Sequence, residues 1–127
     1  MKILKSLLSL PLIAFAIAPA MAADGDFSLQ YHVERTLSTD LDLDQCIDAV
    51  KSGASDAGYR MSTDRYEGKL GVISGGPKQG GSLIAYCIVV DDKTVSVIQG
   101  LDYDAGSRSV SNVADRIHDA LLAKGKK

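Results

Sequence analysis

Positive charge is what this sequence has little of. Fourteen Lys and Arg side chains stand against sixteen Asp and Glu, a formal net charge of −2 at neutral pH. Nucleic acids and anionic membrane surfaces are held by clustered Lys and Arg. The only basic cluster is Lys124, Lys126 and Lys127 at the end, where a solvated tail accounts for it, so no nucleic-acid partner is expected. Catalytic patterns are missing as well. No Ser–His–Asp or Cys–His arrangement is legible. His32 and His118 share no metal-ligand motif, and no Gly-Lys-Ser/Thr phosphate loop opens a helix. Asp40, Asp42 and Asp44 are spaced like the start of a calcium loop, but the glycine and distal glutamate of that loop are absent. Asp64 or Asp102 beside a Tyr or His would be the acid–base candidates of an enzyme. Asp is so abundant here that such a pairing is expected by chance. The expectation is a non-enzymatic protein without metal or cofactor.

What is present begins with Met1-Lys2-Ile3-Leu4-Lys5, an apolar run from Leu7 to Ala18, and Ala20-Met21-Ala22. A short basic segment, an apolar stretch too short for a comfortable membrane span, and small residues at a cleavage site make a secretory signal. The division is residues 1–22 as signal peptide and 23–127 as a single α+β domain. The product is periplasmic or secreted, with no membrane span after cleavage. Loss of Lys2 and Lys5 leaves 12 basic against 16 acidic side chains, a net charge of about −4. About a hundred residues supply one core with limited stability to spare.

The two cysteines are far apart, which excludes a C-x-x-C redox pair. In an exported chain an even pair reads as a disulfide, Cys46 to Cys87. Cys46 falls on the apolar face of a helix and Cys87 in an apolar strand, so the bridge would pin helix to sheet.

Along the chain, Phe27 to Glu34 alternates, with Phe27, Leu29, Tyr31 and Val33 on one side as the half-buried face of a strand. His32 then lies with Gln30 and Glu34 on a solvent-exposed side. Leu43, Cys46, Ile47, Val50, Ala54 and Ala57 share one helical face. Asp42 and Gln45 form a capping box ahead of it, and Gly58 ends it. Tyr59–Tyr66 and Lys69–Ser74 read as two strands turning at Glu67-Gly68, or as one long strand with a glycine bulge. Gly75–Gly81 is a glycine-dense, exposed loop. Leu83 to Val90 is apolar at every position and suits a central strand buried on both faces. Asp91-Asp92-Lys93 turns it into a second strand, Thr94–Gln99. Ser107 or Ser109 can cap a last helix striped by Val110, Val113, Ala114, Ile117, Ala120 and Leu121, with His118 beside the stripe.

This order predicts an α+β fold: an antiparallel sheet of four to five strands with two helices on one face, in β-α-β-β-β-β-α order. Cys87 would face the helices. Ile84, Tyr86, Ile88 and Val90 would face away, and two helices cannot cover both sides of a sheet. That second face, with Gly76 and Lys78 of the loop, is the candidate interaction surface. The expected function is a protein-interaction module pairing with itself, as a dimer, or with another exported protein. The alternative is a carrier holding a small apolar ligand between the sheet and the Gly75–Gly81 loop.

The alanine-ended signal, one helix cysteine with one strand cysteine, and Gly58-Tyr59-Arg60 together resemble the small exported proteins of Gram-negative bacteria catalogued without a known activity. The resemblance implies an exported location and carries no functional residues.

Overall fold

Seven elements follow one another: β1 (Ser28–Leu37), α1 (Leu43–Asp56), β2 (Arg60–Tyr66), β3 (Leu70–Gly76), β4 (Gly81–Val90), β5 (Lys93–Asp102) and α2 (Ser109–Lys124). They belong to a computed structural model that describes residues 26–125; the expected signal peptide and its cleavage point lie outside the described residues. The five strands form one antiparallel sheet in the order β1-β5-β4-β3-β2, so β4 is its central strand. The architecture is the expected α+β, with five strands and two helices.

Local chemistry sets the boundaries. Asp42 caps α1: its Oδ1 accepts the Gln45 N–H at 2.8 Å, while Gln45 Oε1 accepts the Asp42 N–H at 2.9 Å. These bonds satisfy donors that a helix start leaves open. At the other end Gly58, at φ 76°, takes the left-handed conformation that stops the helix. β2 and β3 are separate strands, turning through Glu67 and Gly68 at φ 50° and 67°. β4 and β5 turn at Asp91-Asp92, with Asp91 at φ 54°.

Both helices pack on one side of the sheet, α1 over β3 and β4 and α2 over β5 and β1. The core between the layers holds Leu41, Ile47, Val50, Ile73, Leu83, Ile98, Val110, Ile117 and Leu121, all essentially inaccessible to water. The two helices meet where Gly53 leaves room for Ile117; a Cβ at Gly53 would stand 2.5 Å from Ile117 Cγ1. A disulfide joins Cys46 of α1 to Cys87 of β4, with Cα atoms 6.1 Å apart across 41 residues of sequence. It fastens the helical layer to the middle of the sheet.

Three expectations are corrected. β4 is not buried on both faces: Leu83, Ala85 and Cys87 are buried, while Ile84, Tyr86 and Ile88 are only partly so, because both helices lie on the other side. β1 is turned over relative to its expected orientation. Leu29, Tyr31, Val33 and Leu37 are exposed, and Gln30, His32, Glu34 and Thr36 face the helical layer. The register with β5 pairs His32 with Ile98 and Val33 with Val97, which fixes the polar row on the helix side. Finally, neither Ser107 nor Ser109 is the N-cap of α2. Arg108 occupies that position without a side-chain cap, and the carboxylate of Asp102 takes over the role.

Candidate interaction face

The helix-free face is built row by row from the strand register. The middle row runs Val33, Val97, Tyr86, Val72, Asp64 from β1 to β2. The next toward the β4–β5 turn is Arg35, Val95, Ile88, Leu70, Tyr66, and the one on the opposite side is Tyr31, Gln99, Ile84, Ser74, Ser62. Leu29, Leu101 and Ser82 close one end; Leu37, Lys93 and Val90 close the other. In the first two of these rows apolar side chains run from strand to strand, the third carries Gln99, Ser74 and Ser62, and the charges Arg35, Asp64, Arg60 and Lys93 stand at the edges and by the turn. The large hydrophobics most exposed among the described residues are Phe27, Leu29, Tyr31, Val33, Leu37, Tyr66, Val90 and Tyr103. Six belong to this face, and Phe27 and Tyr103 border it beside Leu101. Single exposed hydrophobics are ordinary; their gathering on one flat surface is not.

Ile84, Tyr86, Ile88 and Val90 form the central column of this face, as the alternation of β4 required. Gly76 ends β3 at the margin, and Lys78 is exposed on the loop beyond it. That loop does not lie over the apolar face. Pro77, Gln79 and Gly80 line a cleft of about 460 Å³ on the helix side with Tyr59, Ser107, Asn112 and Arg116.

Behind β1 is a cluster that the sequence reading missed. The His32 and His118 rings stack with centroids 3.9 Å apart and planes within 5°. His32 Nε2 lies 2.8 Å from Asp115 Oδ1 of α2, and His118 Nε2 lies 2.7 Å from Glu34 Oε1 of β1. Each element thus offers one imidazole and one carboxylate, and the two pairs cross between strand and helix. Glu34 and His32 two apart on a strand, and Asp115 and His118 three apart on a helix, were the available signal. Among the described residues no group of three or more His, Cys, Asp or Glu side chains could hold a metal ion.

Asp64 and Asp102 lie on opposite faces of the sheet, and Asp102 lies near enough to Tyr59 to raise its pKa. Asp64 sits at the β2 end of the open face. Asp102 is fully buried on the helix side, where Oδ1 accepts the Val110 N–H at 2.8 Å and Oδ2 accepts the Ser111 N–H at 3.0 Å and its hydroxyl at 2.6 Å. Burial alone would push this carboxyl up. The hydrogen bonds from Ser111, Val110 and Ser107 outweigh it and hold the pKa below the ordinary 3.8. Tyr59 is held above the ordinary phenol range by burial and then by Asp102, with Arg116 acting against them.

Five strands under two helices, with the second sheet face largely apolar and not covered by any helix among the described residues, define a two-layer α+β domain whose distinguishing surface is a sheet rather than a cleft. The chain belongs to DUF6180, a family of unknown function whose model matches residues 26–126. No curated protein matches it. Among the described residues no helix is long and apolar enough to cross a membrane.

Proposed function

We propose that this protein is an exported, non-enzymatic interaction module that docks a protein partner on its helix-free sheet face. The observation that carries the reading is the collection of the most exposed large hydrophobics on and around that single face. Leaving them in water is unfavourable by roughly 25 cal/mol per Å², and a docked partner removes that cost. The disulfide supports an oxidising compartment, as the amino-terminal signal pattern does. Catalysis is not part of the proposal, because the candidate carboxylates are occupied as a helix cap or isolated at a sheet edge.

Photocrosslinking tests this reading. A benzophenone side chain placed at Tyr86, at the centre of the face, is expected to capture protein in living cells. The same group at Lys51, exposed on α1, is the control. Equal, low capture from both positions would remove the docking function. Capture of a small molecule in place of protein would favour the carrier reading.

A further inference from the structure

We infer that the occupant of the face is a second copy of this chain, packed sheet on sheet about a two-fold axis that runs along β4. This rests on the docking reading above and specifies its partner and geometry. Size is the first argument. Five strands about 4.8 Å apart and five rows about 7 Å apart give roughly 600 Å² in plan, and side-chain relief enlarges it. A standard interface takes about 800 Å² from each partner, so one flat copy of this sheet is matched by another.

Charge is the second argument, and it selects the axis. The apolar field has Arg35 at its β1 edge and Asp64 at its β2 edge, with Arg60 two rows beyond Asp64 in the row of Leu29 and away from the row of Arg35. Among the described residues neither Arg35 nor Asp64 has an ion-pair partner. A two-fold axis along the central strand lays β1 of one copy over β2 of the other. Arg35 then faces the row of Tyr66 and stands one step, about 7 Å, from the row of Asp64, within reach of its guanidinium. Symmetry makes the contact twice, as an isologous interface requires. An axis across the strands would instead lay β2 on β2 and bring Asp64 against Asp64, a like-charge contact that disfavours that arrangement. With the axis along β4, Tyr86 of the middle row packs beside its own copy.

The test is the mass in solution, by light scattering at micromolar concentration, of the protein purified as its host cells process the full chain. The expected mass is twice that of the subunit. Tyr86→Asp is expected to give monomers with an unchanged circular dichroism spectrum. Tyr31→Asp, at an exposed edge position remote from the core, guards against an unfolding artefact and should also dissociate the dimer. Arg35→Asp and Asp64→Arg should each weaken dimerisation by about tenfold, two exposed ion pairs being lost. The double exchange R35D/D64R should recover the loss. A dimer indifferent to both single exchanges overturns the axis along β4. A monomeric wild type overturns the second copy as occupant; if Tyr86 still crosslinks another protein in cells, the docking reading stands without it. A monomer with no crosslink from that position removes both.

Discussion

Removing the Asp102 carboxylate is expected to detach the start of α2 from the sheet. This side chain ends β5 and takes the place of an N-cap, accepting two backbone N–H groups and the hydroxyls of Ser111 and Ser107. Asp102→Ala leaves the Val110 and Ser111 N–H groups buried without partners, at about 1–3 kcal/mol each, for a total loss of about 2–6 kcal/mol. Against the 5–15 kcal/mol typical of a whole domain, that is a large fraction. Asp102→Asn keeps the shape and one acceptor but turns an NH₂ toward the Ser111 donors; about 2 kcal/mol should be lost. The pH dependence carries a sign. The folded carboxyl titrates below its ordinary 3.8, so its contribution is complete above that value and disappears as pH falls through the folded pKa. The gap between wild type and Asp102→Asn, measured by urea unfolding under circular dichroism, should be widest near neutrality and shrink below pH 4. A variant as stable as wild type at pH 7, or a gap that stays constant into acid, would refute the capping role.

Opening the disulfide with a Cys46→Ser, Cys87→Ser double variant should lower stability by about 4 kcal/mol, since the bridge spans 41 residues; thermal unfolding with and without reductant reads it. His118→Ala leaves the Glu34 carboxylate without its imidazole partner and should cost about 1–2 kcal/mol. Adding Glu34→Gln to that variant should cost little more, a double-mutant cycle showing that the two side chains act as a pair. Glu67→Asn relieves a non-glycine residue at φ 50° in the β2–β3 turn and should add about 0.5 kcal/mol, read as a shift in the urea midpoint.

Much of the fold was legible because its signals are local. The 3.6-residue stripe beginning at Leu43, the Asp42–Gln45 capping box and the turn residues at Glu67-Gly68 and Asp91-Asp92 each specify backbone geometry within a few positions. The central column of the open face was legible for a related reason: alternation in β4 divides Cys87 from Tyr86, and a cysteine bonded to a helix identifies the helix side. What escaped depends on contacts remote in sequence. The clean alternation of β1 gives two faces but does not say which one meets the helices. Convention put Leu29, Tyr31 and Val33 inward, whereas the pairing of His32 with Ile98 turns them out. The crossed His32–Asp115 and His118–Glu34 pairs span more than eighty residues, and the Asp102 cap comes from outside its own helix.

Hydroxyl-radical footprinting of tyrosines, in intact cells and on dilute purified protein, tests the docking face most directly. Tyr31, Tyr66 and Tyr86 lie on that face, and Tyr59 lies on the helix side. The account predicts that the first three are protected in cells relative to dilute protein while Tyr59 is modified equally in both. Equal modification of all four would contradict it.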